Sequence, residues 1–259
     1  MPSLRALPAL RDNYIWMLSD PVSGMALVVD PGEAEPVLRA LAEDGRTLAA
    51  FLLTHHHGDH IGGTSELKAL YPDAAIYAPV DDRIHLAATR VGNGDIIEIP
   101  APAVRFEVVE VHGHTRSHIA YHGEGLLFCG DTLFSLGCGR MFEGTPEQML
   151  ASLDRLAGLP GDTKVCCGHE YTLANASFAI SVEPDNAALQ SRAEAARAQR
   201  ERGEATLPAR LADERAANPF LRVERIADDR IPWPQGSKPS RRRIDRFAAL
   251  RLAKDQFQA

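Results

Sequence analysis

The chain of 259 residues is long enough for one large domain or two modest ones, and 45% apolar with 24% charged residues is the balance of an ordinary globular protein. A formal net charge of −7 argues against a general nucleic-acid binder, so any anionic ligand has to be met by a local basic patch. No apolar run approaches the roughly 18 residues of a membrane span. The opening "MPSLRALPAL" holds two prolines and too short an apolar core for a secretory signal. Cys129, Cys138, Cys166 and Cys167 form neither C-x-x-C nor a secreted framework and read as buried free thiols. The expectation is a monomer in the reducing cytoplasm, without membrane or nucleic-acid partners.

The first two thirds read as short strands alternating with helices. "ALVVDPG" (Ala26–Gly32) is an apolar run stopped by a Pro-Gly turn, and "AAFLLT" (Ala49–Thr54) is a second. Helical spacing covers Glu33–Asp44, Gly63–Tyr71 and Pro146–Leu159, the last with proline in the first turn. "VRFEVVEV" (Val104–Val111) alternates as a half-buried strand should. "GLLFCGD" (Gly125–Asp131) and "KVCCGHE" (Lys164–Glu170) are short apolar runs closed by glycine. Beyond residue 172 helix formers dominate. Asp185–Gly203 has an N-cap aspartate and a glycine stop, a helix ends at Asn218-Pro219, and Ser240–Phe257 is helical again, with Ile244, Phe247 and Ala248 in an apolar stripe that Arg251 continues. No strand of comparable quality follows, so residues 1–172 read as a catalytic α/β domain and 173–259 as a helical domain.

The polar signals sit just past the strand ends. "THHHGDH" (Thr54–His60) places four imidazoles and a carboxylate in six residues, and both residue types suit a divalent cation. His55 and His57 are two apart and point the same way in an extended segment, whereas Asp59 and His60 are offset. That division implies two metals. His114, after the strand ending at Val111, is the natural third imidazole for the first. His169 is the natural partner of Asp59 and His60, and Asp131 could bridge both. For Asp59 and Asp131 taken singly, a helix N-cap and a turn residue are competing readings. His56 should point away as its neighbours' alternate; His112, His118 and His122 flank the site, and His85 has no supporting context.

These residues resemble the metallo-β-lactamase superfamily: "HHHGDH", His114 in "GHT", Asp131 in "CGDT" and His169 in "GHEYT". Within it the chain is similar to the hydroxyacylglutathione hydrolase (glyoxalase II) family nearly end to end, through "DNYIWML", "VVDPG", "LFCGDTLFSLGCGRMFEGT", "CCGHEYTLANASFA", "NPFLR" and "KDQF". The resemblance implies a four-layer αββα sandwich with the metals at one edge and a C-terminal helical domain over the site. It gives His55, His57 and His114 to one ion, Asp59, His60 and His169 to the other, and Asp131 to both, with Asp59 and Asp131 the catalytic carboxylates. Zinc is the first choice of metal, with iron or manganese also suited. The family's glutathione-binding positions fall on Arg140, Phe142, Tyr171, Arg251 and Lys254. Lysine is common at the Arg140 place and tyrosine at the Phe142 place, so Phe142 lacks a hydroxyl donor. His112 stands where proline is usual.

The activity so implied is hydrolysis of S-D-lactoylglutathione to glutathione and D-lactate, the second step of methylglyoxal detoxification. Two divalent ions about 3.5–4 Å apart bring the pKa of a bridging water towards 7, so no serine or cysteine nucleophile is required. No G-x-S-x-G motif is present. The alternatives are another hydrolase of the same fold, which for a β-lactamase would usually carry cysteine at the Asp131 place, and a persulfide dioxygenase with a single iron. A non-enzymatic metal binder would close the coordination shell, which this ligand set leaves open to water.

Overall fold

A computed structural model describes residues 2–257. From the N-terminus, β1 (Ser3–Ala9), β2 (Asn13–Ser19) and β3 (Met25–Val29) lead into α1 (Glu35–Asp44) and β4 (Thr47–Leu52). The short α2 (Gly58–Ile61), α3 (Thr64–Leu70), β5 (Ala75–Pro79) and β6 (Thr89–Val91) complete a mixed sheet in the order β1-β2-β3-β4-β5-β6. Its first three strands are antiparallel and the rest parallel. Then β7 (Ile96–Pro100), β8 (Ala103–Glu110), β9 (Ile119–Gly123) and β10 (Leu126–Gly130) form an antiparallel meander. After β11 (Leu133–Phe134) and β12 (Gly137–Cys138) come α4 (Pro146–Ala157), β13 (Lys164–Cys167), α5 (Thr172–Val182), α6 (Ala187–Glu201), β14 (Ala209–Arg210), α7 (Leu211–Ala217) and α8 (Arg243–Gln256).

The chain forms two compact units that interleave along the sequence. The first runs to Glu110 and adds Ser117–Gly130 and Cys166–His169. In it, every residue of β2 is buried, as expected of a strand covered on both faces. Ile15 and Met17 join Val28, Phe51 and Leu53 in a core shared with Val37 and Leu41 of α1 and Leu67 of α3. Alternation sends Trp16 to the opposite face, where its indole N–H donates to Cys167 O at 2.9 Å. The meander sheet lies on that side. Tyr121 of β9 is wholly buried and its hydroxyl reaches Leu53 O at 2.7 Å and Tyr77 O at 3.2 Å, just beyond β4 and within β5. One phenol thus ties the second sheet to the first immediately before the histidine cluster.

The second unit comprises Val111–Arg116, Asp131–Val165 and everything from Glu170 onward. Thr145 and Gln148 close a capping box on α4, with Pro146 at its start. Leu189 and Ala193 of α6 pack with Ala176 and Ala179 of α5 and with Ala217 of α7. The start of β13 pairs with β14, a two-residue strand in a region where helix formers hid any strand pattern. Three expectations shift in detail. The cap of α6 is Asn186, whose side chain accepts from Ala188 and Leu189 N–H, rather than Asp185. The buried face of α8 keeps Phe247 and Arg251 of the expected stripe and adds Arg246, Ala249 and Leu250, while Ile244 and Ala248 are only half-buried. Asp59 is not an N-cap, since α2 begins at Gly58.

Tyr121→Phe removes a buried donor from two carbonyls and should lower the unfolding free energy by about 1–2 kcal/mol. Urea unfolding of the metal-free protein measures this; an unchanged midpoint and slope would show that the two sheets do not depend on that link.

Candidate metal centre

The histidine cluster leaves the end of β4 as an extended segment and enters α2 at His57. What aims each ring is the atom behind it. Asp30, 4% exposed and in the left-handed region at φ +51°, accepts Thr54 N–H at 2.8 Å and Thr54 Oγ1 at 2.7 Å. Its Oδ2 also lies 3.1 Å from His60 Nδ1. Because the threonine proton goes to Asp30, Thr54 Oγ1 accepts from His55 Nδ1 at 3.0 Å. Both rings are therefore fixed through Nδ1, which leaves the Nε2 lone pair outward.

His169 lies 109 positions after His60 but joins it through the backbone. Tyr14 N–H donates to Gly168 O at 2.8 Å, and Asn13 makes a β-bridge with His169. Asp12 accepts His169 Nδ1 at 2.8 Å, and Asn13 Nδ2 donates to Asp59 Oδ2 at 3.1 Å and to Asp59 O at 3.2 Å. As a result Nε2 of His60 and Nε2 of His169 stand 3.6 and 3.5 Å from Asp59 Oδ2. Two ligand atoms about 2.0–2.2 Å from one tetrahedral ion are about 3.3–3.6 Å apart, so this trio fits a divalent metal. His55 Nε2 and His57 Nδ1, at 3.0 Å, are a few tenths closer than that spacing. Asp30, His55 and His60 also cluster, but both Asp30 oxygens are engaged, which makes Asp30 an orienting carboxylate.

Two glycines make the close approach possible. A Cβ on Gly32 would lie 2.0 Å from Asp59 O, and one on Gly130 (φ +46°) would lie 2.4 Å from Thr54 Oγ1. His56 turns instead to Asp81, 3.4 Å away. Burial works against the Asp81 carboxylate, but hydrogen bonds from Arg83 and Ser117 hold it well below the usual carboxylate range. His118 stacks on His55 with ring centroids 4.6 Å apart, and His85 is exposed.

In the second unit His114 Nδ1 is held by Arg140 O at 2.8 Å, and His114 Nε2 is 3.5 Å from Asp131 Oδ2. Both line a cleft of about 410 Å³ that also holds Arg140, Phe142, Tyr171, Arg251 and Lys254. Arg251 is buried; Nη1 donates to Cys138 O at 2.7 Å, Nη2 to Asp255 at 3.1 Å, and its guanidinium lies over Phe220. Asp255 also accepts Arg140 Nε at 3.2 Å. Lys254 Nζ donates to Ala174 O at 2.9 Å, and burial together with the charge of Arg251 pulls its pKa down to about 8. Burial pushes the Cys138 thiol up against the pull of Arg251. Phe142 is 62% exposed with its ring 5.2 Å from that of His114, and Tyr171 leans on Phe134. The backbone oxygen of His112 accepts from Ser152 Oγ at 2.7 Å.

Residues 15–169 match the metallo-beta-lactamase superfamily model, and residues 170–257 match the model described as hydroxyacylglutathione hydrolase C-terminus. A hydroxyacylglutathione hydrolase of Xanthomonas axonopodis pv. citri is 54% identical over 256 residues, 99% of each chain. The chain belongs to the hydroxyacylglutathione hydrolase family. A second hydroxyacylglutathione hydrolase, of Xylella fastidiosa strain M12, is 52% identical over 98% of this chain and 97% of its own. Among solved structures, ETHE1 from Myxococcus xanthus aligns with TM-score 0.58 at 30% identity over 66% of this chain and 76% of that one. The BLEG-1 B3 metallo-beta-lactamase aligns with TM-score 0.62 at 22% identity over 86% and 100%, a likeness of fold. The molecule is thus a metal-dependent hydrolase of the metallo-β-lactamase α/β sandwich type with a helical C-terminal region.

Sequence spacing missed Asp12, Asn13 and Asp30, although all three lie in the segments "DNYIWML" and "VVDPG" that carry the family resemblance. A carboxylate beside a strand end, facing a histidine in another segment, was the available signal. Asp12→Ala leaves the His169 ring without its anchor and should weaken zinc binding about 10–100-fold. Competition with a chromophoric chelator checks it; unchanged affinity in the folded variant would remove the orienting role.

Proposed function

We propose that this chain hydrolyses the thioester of an S-(2-hydroxyacyl)glutathione, S-D-lactoylglutathione foremost, releasing glutathione and the 2-hydroxy acid. One observation carries the reading: a single cleft is lined both by His114 and Asp131 and by three cations, Arg140, Arg251 and Lys254, on an otherwise acidic protein. Metal-type ligands and an anion-binding wall share that cleft, and a glutathione thioester has the scissile carbonyl and two carboxylates to match. The names of the full-length relatives support the same substrate class.

In this reading His55, His57 and His114 serve one divalent ion, Asp59, His60 and His169 a second, and Asp131 both, with zinc the first choice. When bound, such a pair supplies Lewis acidity and a water acidic enough to attack at neutral pH. The chain's own part is placement. Asp12, Asp30, Thr54 and Arg140 O hold the ligand rings by their far nitrogens. Arg140 and Lys254 offer N–H donors and positive charge to the substrate carboxylates, and Arg251 adds charge from beneath. Phe142 and Tyr171 give the peptide an apolar wall. A departing thiolate needs little protonation, because a thiol's pKa is about 8.5. Cys138, kept as a thiol by burial, has no nucleophilic task. Residues 1–172 then supply the catalytic ligands and residues 173–259 much of the substrate grip.

Metal-replete protein should turn over S-D-lactoylglutathione with two ions per chain by elemental analysis, and chelation should abolish the rate. Asp131→Ala should be the most damaging single ligand change. Full turnover with one ion, or near-normal rate and both metals in Asp131→Ala, overturns the shared-carboxylate reading.

Lys254 gives the pH dependence its sign. Its folded pKa is lowered, so the ammonium present below about 8 is lost as pH rises through that value. KM for the glutathione thioester should therefore climb above pH 8 while kcat holds, and Lys254→Arg should flatten the climb. A KM profile identical in the two proteins would free Lys254 of substrate contact.

A further inference from the structure

A second polar construction lies outside the metal centre, within the second unit. Glu214 of α7 is 0% exposed, and its carboxylate accepts Ser135 Oγ at 2.7 Å, Leu136 N–H at 2.8 Å and Asn218 Nδ2 at 3.2 Å. Asn218, also 0% exposed, shares the same amide hydrogens with Phe134 O at 3.1 Å and Gly137 O at 2.9 Å. Asn175 of α5 donates to Ser135 O at 3.1 Å, and Arg192 of α6 to Ser135 Oγ at 3.2 Å. Polar side chains from three helices and the residue that ends α7 therefore converge on the β11–β12 turn.

A buried carboxylate is costly, and apolar packing would hold two helices together without one. The turn explains its presence. Its strands are two residues each, too short to hold themselves, and Leu136 is in the left-handed region at φ +58°. The ends of the same segment reach the cleft. Asp131 precedes it, Cys138 O accepts from Arg251, and Arg140 O accepts from His114 Nδ1.

The geometry points to Glu214, together with Asn218, as a positioning residue: it sets the placement of the Leu133–Cys138 turn, and through it Asp131, Cys138 O and Arg140 in the substrate cleft. The inference rests on the reading of that cleft as the thioester site. Neither residue touches substrate.

The test uses metal-loaded, full-length Glu214→Ala, Glu214→Gln and Asn218→Ser. Asn218→Ser keeps a hydroxyl to accept Phe220 N–H, as Asn218 Oδ1 does at 3.0 Å, but cannot span the two carbonyls of the turn. It should raise KM for S-D-lactoylglutathione about tenfold and weaken zinc about tenfold in chelator competition, with a cooperative thermal transition above the assay temperature. Glu214→Ala should do at least as much. In Glu214→Gln the amide oxygen can still accept Leu136 N–H and the amide nitrogen can face Ser135 Oγ, so most of the loss should be rescued. Folded Asn218→Ser with wild-type KM and zinc affinity overturns the proposal, even where Glu214→Ala fails to fold. Glu214→Gln as impaired as alanine overturns it too, since the hydrogen-bond pattern would then not be the cause. Should the wild-type protein not turn over the thioester, the functional reading fails, and zinc competition alone still decides the positioning role.

Discussion

Four rings of the candidate metal centre are each held at Nδ1 by an oxygen: His55 by Thr54, His60 by Asp30, His169 by Asp12 and His114 by Arg140 O. This constraint organises the rest. An imidazole on a free χ2 sweeps its Nε2 over several ångströms, whereas a metal position tolerates a few tenths. Fixing Nδ1 settles tautomer and ring plane together, and it demands carboxylates at strand ends, hence sheets that end together. The left-handed Asp30 and the Cβ-free Gly32 follow from the same demand, because the strand end must fold back against the α2 backbone within van der Waals distance.

The candidate cluster was legible in the sequence, because H-x-H-x-D-H compresses four metal-type donors into six residues, and the structure brings Asp59 and His60 of it together with His169. The carboxylates behind them were not. Asp12 and Asp30 each sit in ordinary turn contexts, and their roles depend on pairings across 157 and 30 positions that no local period encodes. The same contrast holds for elements. The meander strand at Val104–Val111 showed its alternation, while β2, buried on both faces, and α5, rich in alanine with no polar stripe, carry no period to read. In α8 the expected stripe caught Phe247 and Arg251 but missed Arg246, Ala249 and Leu250. Arg246 and Arg251 are buried through their hydrogen bonds to backbone carbonyls, which an apolar count leaves out.

The cleft also shows how an acidic protein can receive an anion. Asp255 accepts from both Arg140 and Arg251, so those cations are partly neutralised within the fold and stay ordered. Lys254 instead rests on a carbonyl and against the rings of Phe178 and Phe257. Burial and the nearby charge of Arg251 lower its pKa. An incoming carboxylate gains most from the cation that the fold has compensated least.

The backbone bridge between Asn13 and His169 bears on how the molecule is made. Residues 13 and 169 meet only after most of the chain has been synthesised and long loops have closed, which makes that trio one of the last things to assemble. Thr54–His60, by contrast, emerges early, well before His169 exists to complete the trio. Any ion held by the trio would therefore stabilise the native protein only by the margin between its affinity for the completed trio and its affinity for the unfolded chain. Closure of the Asp59–His60–His169 geometry is in that sense a marker of finished folding.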